Sequence, residues 1–477
     1  MRIRVLEPFL LACVLLLASQ ICDAQSTPDS KLHQGVVIEK VTCMNDASQS
    51  YALYLPTNYT PQKQWPALYI FDPFAQGKAP VEIFHEAAEK FGFIVIGSNN
   101  SQNNIGGEKL SEIINAFWKD THARFNIDPK RVYAAGLSGG ARSANYFAIS
   151  CNRCIAGVIA SGATFPPKFP LDKPLPYSVF GTVGVDDLNF PELIKTFEVL
   201  KENGTTNHLA VFNGRHQWLI KDLTFDALEW LNLQAMKSGQ LTMETKFVED
   251  LLQKHLSRAE SHFQNGNILE AGRAYQAIVL DFKDIADTTQ AEKKFSEIRS
   301  QKSYEKAIAD ERRSFDEQQR VAKKIFSMGA ELLDSRTTNV ALQKVSMEIE
   351  GWRKKSKASV DSADRRLARR ILGQVFVEAY ETALYVNRQQ HDYATMIANL
   401  ELVRLINPQN SNTLLELARA LALGKRKKDA LETLERAINN GFSDCSQING
   451  KPEWETLRSN KEFQKVIEKL NCKGPKS

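Results

Sequence analysis

The run Gly136-Leu137-Ser138-Gly139-Gly140 constrains this chain more than any other segment, because few local geometries accept it. It reads G-x-S-x-G between an apolar strand-like run, Arg131–Ala135, and a helix-like run, Ala141–Ser150. A serine in that setting sits on a sharp strand-to-helix turn with its hydroxyl pushed away from the backbone. Glycine is needed on either side because a side chain there would collide with the adjoining strand or helix. The helix starting behind the serine offers free N–H groups to a developing oxyanion.

The surrounding pattern supplies the sheet that such a turn needs. Gly35–Val41 and Ser50–Leu55 read as strands joined by the polar turn Met44–Gln49. Trp65–Phe71, Phe93–Gly97, Ile155–Ser161, Tyr177–Gly181 and His208–Phe212 are further short apolar runs. Helical patterns separate them at Val81–Phe91, Leu110–Phe125 and Pro191–Asn203, and Asp222–Leu233 closes the series. A hairpin followed by alternating strands and helices predicts an α/β fold with a mixed, mostly parallel sheet covered on both faces. Functional residues in such sheets gather beyond the C-terminal ends of strands.

After about Leu233 the strand signals stop. Residues 236–245 read as a polar linker, and residues 246–477 as an all-α region rich in Ala, Leu, Glu, Lys and Arg. Leu414, Leu417, Ala418, Leu421, Ala430, Leu434 and Ala437 fall on a spacing that resembles tetratricopeptide repeats. So do Ala259, Gly266, Ala271 and Tyr275. A weaker unit spans Ala379–Pro408, and the stretch Lys302–Leu372 reads as a long helical hairpin outside the repeat. The resemblance implies a concave surface for a protein or peptide partner, or a shield over the mouth of a site in the first half.

At the N-terminus, Arg2 and Arg4 precede the short apolar run Phe9–Leu17, and Cys22-Asp23-Ala24 offers small residues at a cleavage site. Residues 1–24 therefore read as a secretory signal peptide, with a periplasmic or extracellular destination; residues 25–235 form the α/β part. The apolar run is too short to span a bilayer, and no other segment predicts a transmembrane span. Export permits disulfides. Cys445 with Cys472 can close the C-terminal segment, and Cys151 with Cys154 reads as a local disulfide or two structural cysteines rather than a metal or redox pair. The net charge of +5 over 477 residues gives no argument for a nucleic-acid partner. The basic clusters Arg353-Lys354-Lys355, Arg365-Arg366, Arg369-Arg370 and Lys425–Lys428 are interleaved with acids and read as solvated helix faces.

A serine hydroxyl needs a histidine to take its proton and a carboxylate to orient that histidine. His216 follows a strand end in the loop Asn213-Gly214-Arg215-His216-Gln217-Trp218, whereas His208 begins the strand and belongs at its far end. Asp186 and Asp187 both lie in the loop after Tyr177–Gly181. For the oxyanion, the backbone N–H of Gly139 is one donor. The second belongs in the loop after Phe71, where Pro73 has no N–H and Phe74 is the first residue beyond it; Asp72 and Ala75 are alternatives.

Together these segments resemble the α/β-hydrolase superfamily over roughly residues 35–233. The stretches "RVYAAGLSGGAR", "GTVGVDDLNF" and "GRHQW" look like the esterase, polyhydroxybutyrate-depolymerase and dienelactone-hydrolase relatives. The resemblance implies Ser138 as nucleophile, Asp187 as acid by the Gly-x-x-Asp spacing of that loop, and His216 as base. It implies cleavage of a small-molecule or polymer ester through an acyl-enzyme, a chemistry that requires no metal and no organic cofactor. One departure is the Asp72-Pro73 pair, where many relatives carry His-Gly. Two rival expectations share these residues: a serine peptidase of the prolyl-oligopeptidase type, and a scaffold whose hydrolase half is silent.

Overall fold

A computed structural model of the protein describes residues 32–333 and 338–470. The signal-peptide segment and Cys472 therefore lie outside the described residues. The first half is built on a sheet with strands β1 Val37–Cys43, β2 Asp46–Tyr54, β3 Trp65–Phe71, β4 Ile94–Ser98, β5 Ile127–Leu137, β6 Gly157–Ser161, β7 Ser178–Gly184 and β8 Asn207–Phe212. Their order is β1-β2-β4-β3-β5-β6-β7-β8. The β1–β2 hairpin and the β2–β4 pairing are antiparallel, and every pairing from β4 to β8 is parallel.

Strand alternation divides the core into two layers. On β3, Ala67, Tyr69 and Phe71 join one cluster with Phe117 and Phe147, while Leu68 and Ile70 join the other with Phe84 and Trp230. Helices α2 Gly107–Arg124, α3 Gly139–Ser150 and α4 Phe190–Glu202 supply the first layer. Helices α1 Lys78–Phe91 and α5 Lys221–Lys237 supply the second. This is the mostly parallel, doubly covered sheet expected from the sequence.

Two boundaries moved for identifiable reasons. The polar run expected as a turn over Met44–Gln49 is mostly strand, since β2 begins at Asp46 and pairs with Cys43. The buried Asp120 accepts the Met44 N–H at 2.7 Å and the Tyr51 hydroxyl at 2.7 Å, which anchors a tighter hairpin. Helix α5 runs on to Lys237 because Leu233 and Met236 pack into the helices that follow.

Those helices are α6 Thr245–Gln264, α7 Ile268–Phe282, α8 Thr289–Arg299, α9 Lys302–Ala330, α10 Thr338–Ser356, α11 Ala363–Glu381, α12 Tyr393–Ile406, α13 Ser411–Leu423, α14 Lys427–Asn439 and α15 Lys461–Glu468. A π-helical turn, Thr382–Asn387, continues α11. The small and apolar positions picked out on α13 and α14 are all buried, with Ala418, Ala430 and Ala437 fully enclosed. The two halves share a core: Phe315 of α9 sits in the sheet's cluster, its ring centroid 5.9 Å from that of Phe190. Among the described residues no helix is long and apolar enough to cross a membrane. Cys151 and Cys154 form a disulfide.

Candidate active site

Ser138 sits between β5 and α3 with φ 54° and ψ −121°, a left-handed conformation that costs a non-glycine residue about 1–3 kcal/mol. The surrounding backbone enforces it. A Cβ on Gly136 would lie 2.1 Å from the Gly140 carbonyl, and one on Gly140 would lie 2.0 Å from the Phe71 carbonyl oxygen. Strand, elbow and helix therefore touch backbone to backbone. The Ser138 N–H donates to the Ser161 carbonyl at 2.8 Å, tying the elbow to β6.

Beyond the ends of β7 and β8, the structure brings Asp187 and His216 together. His216 Nδ1 lies 2.9 Å from Asp187 Oδ1, which also accepts the Asn189 N–H at 2.8 Å. A carboxylate can only accept, so Nδ1 is the donor in this contact, and in the neutral ring that leaves Nε2 as the acceptor. The Asp187 side chain is 1% exposed and that of His216 is 22% exposed. The acid is therefore shielded while the imidazole opens onto the cleft that Ser138 and Gly139 also line. Gly162 closes the floor beneath the pair: a Cβ there would lie 3.1 Å from both Asp187 Oδ2 and the His216 ring.

The neighbouring candidates go elsewhere. Asp186 pairs with Arg369 at 2.6 Å. His208 lies near the start of β8, with Nδ1 2.7 Å from Asp281 on α7.

Phe74 is a correction. Its N–H donates to Asp72 Oδ1 at 2.8 Å, in a turn closed by the aspartate side chain, so the amide is already engaged. The residue is 69% exposed and does not line the Ser138 cleft. Gly139 fits the expectation better, since the first N–H groups of α3 have no acceptor within the helix. What lies over Gly139 is Asn103, an overlooked residue: a Cβ on Gly139 would meet Asn103 Oδ1 at 1.9 Å. The Asn103 N–H donates to the Pro73 carbonyl at 2.9 Å, so the Asp72 turn also sets where Asn103 stands.

Asp72 is more than a departure from a familiar pattern. It is 4% exposed, and its second oxygen, Oδ2, accepts Trp218 Nε1 at 3.0 Å. One carboxylate thus ties the loop after β3 to the loop that carries His216.

The cleft has a volume of about 740 Å³, within the usual range for ligand sites, and the helical half builds one wall of it. Gln319 from α9 and Gln374, Glu378 and Glu381 from α11 face Arg142, Tyr146 and Asn104 from the sheet half. Asn103 Nδ2 donates to Glu381 Oε1 at 3.1 Å across the cleft, and Arg142 pairs with Glu192 at 2.9 Å. The Arg369-Arg370 cluster, expected as a solvated face, is overturned: Arg370 is 5% exposed and both arginines bind the loop that carries Asp187. Nothing in their local sequence distinguishes them from the other basic pairs. A second cavity, of about 760 Å³, lies among Pro129, Lys201 and Asp281 and shares no lining residue with the Ser138 cleft.

No protein-family model and no curated protein sequence matches the chain. Solved structures similar to part of it include an S-formylglutathione hydrolase from Staphylococcus aureus, at 14% identity over 41% of this chain and 96% of that one, with a TM-score of 0.35. The feruloyl esterase module from Clostridium thermocellum matches at 17% identity over 42% and 91%, with a TM-score of 0.35. An esterase from Pyrobaculum calidifontis matches at 11% over 43% and 87%, also at 0.35. The eight-stranded sheet, its order and its helices make the first half an α/β-hydrolase fold, and an all-helical region follows it.

Proposed function

We propose that this protein is a serine hydrolase that cleaves ester or related acyl bonds through Ser138, His216 and Asp187. In this reading Ser138 Oγ attacks the acyl carbon while His216 Nε2 takes its proton. Asp187 holds the imidazole and stabilises the imidazolium that forms. The Gly139 amide receives the negative charge that develops on the carbonyl oxygen. His216 then protonates the leaving alcohol, and water attacks the acyl-enzyme by the reverse route. The single observation that carries the reading is the 2.9 Å contact of His216 Nδ1 with buried Asp187, in the cleft onto which the strained Ser138 opens.

The helical half enters this proposal as a wall of the substrate cleft. Its paired helices, at tetratricopeptide-like spacing, also offer surface to a protein or peptide partner. Export by the N-terminal segment belongs to the same reading. Short-chain p-nitrophenyl esters and peptide anilides, offered to wild type and to Ser138→Ala, test the function. Ester turnover by wild type alone is expected. Turnover of anilides in preference to esters would make the enzyme a peptidase, and turnover of neither by folded protein would sink the proposal.

A further inference from the structure

The loop that carries Asp187 is held from outside the sheet. Arg370 donates from Nη1 to the Val185 carbonyl at 3.2 Å, and Arg369 from Nη1 to Asp186 Oδ2 at 2.6 Å. Gln318 donates from Nε2 to the Leu188 carbonyl at 2.8 Å. The Arg370 guanidinium also lies 5.2 Å from the centre of the Phe190 ring. Four residues around Asp187 are thus bound by α9 and α11, while its own carboxylate is left to His216 and the Asn189 amide.

This clamp is expensive to form. Burial lowers the Arg370 guanidinium to about 10, against the pull of Glu311 and Asp186. Asp186 and Asp187 are adjacent carboxylates with side chains only 3% and 1% exposed. Two buried like charges side by side disfavour each other unless a cation offsets one of them. Asp186 faces Arg366, Arg369 and Arg370, whereas Asp187 faces His216.

We propose that Arg369 is a positioning residue for Asp187: by pairing with Asp186 it fixes the 185–190 loop and balances its charge, so the helical half is working machinery of the hydrolase. The proposal rests on the reading of Asp187 as the acid that orients His216. Cutting the chain between α5 and α6 would remove the clamp, which sets this arrangement apart from an appended binding module.

The test uses the full chain as wild type, Arg369→Gln, Asp186→Asn, the double variant and Arg369→Lys. Two quantities are read against pH: kcat and KM for p-nitrophenyl acetate, and the ¹⁵N resonances of the His216 imidazole. Arg369→Gln removes the cation bonded to Asp186 and leaves only Arg366 and Arg370 to offset its charge, so the acid limb and the His216 titration move to higher pH. Loosening of the loop lowers kcat about 10-fold, with KM unchanged. Asp186→Asn moves the titration to lower pH, the double variant returns it toward wild type, and Arg369→Lys leaves it in place. A clamp that only packs the loop would move both single variants the same way or not at all, and that result overturns the proposal. So does wild-type kcat in Arg369→Gln. Should Arg369→Gln not fold, Asp186→Asn and Arg369→Lys decide between the same alternatives. The resonance titration needs no turnover, so an inactive wild type would count against the hydrolase reading while the titration still decides the role of Arg369.

Discussion

Asp72 and Trp218 are joined by a 3.0 Å hydrogen bond from the indole Nε1 to a buried carboxylate oxygen, linking the loop after β3 to the loop that carries His216. The same carboxylate accepts the Phe74 N–H, and the Pro73 carbonyl beside it holds the backbone of Asn103 over Gly139. One residue at a strand end therefore sets both rims of the cleft. Asp72→Asn keeps the shape, but its single amide oxygen can accept from only one of the indole N–H and the Phe74 N–H, and its amide nitrogen turns a donor toward the other. The expected cost is about 1–3 kcal/mol of stability, from the stranded polar group. Thermal unfolding measures that loss. Ester kinetics should show kcat/KM falling by about tenfold as the His216 loop loses its tether.

In the proposed triad, removing Asp187 should cost far more than removing its neighbour Asp186. Asp187→Asn leaves His216 without an anionic partner and stabilises the wrong tautomer, so kcat should fall by about 10⁴. His216→Ala should do at least as much. Steady-state ester hydrolysis checks both, and a loss in Asp186→Asn as large as that in Asp187→Asn would contradict the assignment.

Gly162 gives a prediction in which activity and stability separate. Its φ is 63°, so Gly162→Ala carries strain of about 1–2 kcal/mol. The new methyl group would press on Asp187 and His216 at 3.1 Å. The melting temperature should drop by only about 1–2 °C, because at roughly 2.1 cal/mol/K per residue a chain of 477 residues loses about 1 °C per kcal/mol. Displacement of the pair should lower kcat by about 10²-fold. Equal proportional losses in both measurements would show that the glycine serves folding alone.

The interface between the halves should weaken in acid. His255 on α6 packs against Phe282 and near His208, with ring centroids 5.7 and 6.0 Å away. Burial, aided by His208 and Arg258, lowers its imidazole to about 4, while Asp281 and Asp226 pull the other way. Its folded value lies below the unfolded one of about 6.5, so between these limits the unfolded chain binds a proton that the folded chain does not. The stabilisation is therefore complete above about pH 6.5 and is lost as pH falls toward about 4, amounting to about 3 kcal/mol. Urea midpoints for wild type and His255→Leu at about pH 7.5 and about pH 4.5 check this. Wild type should lose the larger share on acidification, and identical losses would contradict it.

The parts of this molecule that were legible in sequence are those written locally. The alternation of β3, the glycines around Ser138, and the Asp and His loops each announce themselves within a few residues, because backbone sterics and strand periodicity act at that range. Arg369 is not legible locally, because what distinguishes it from Arg365-Arg366 is a partner 183 positions away. Glu381 and Asn103 meet across 278 positions and carry no motif. Phe74 is a different case. The Asp72-Pro73 pair before it signals an aspartate-closed turn, which occupies its N–H.

The central claim is that Ser138 is a nucleophile activated by His216 and oriented by Asp187. A fluorophosphonate that captures activated serines, followed by peptide mapping in the mass spectrometer, tests it most directly. A single phosphonyl adduct on the peptide containing Ser138 is expected, absent in Ser138→Ala and formed far more slowly in His216→Ala. An unmodified Ser138 in folded wild-type protein, or an adduct on another residue, would contradict the account.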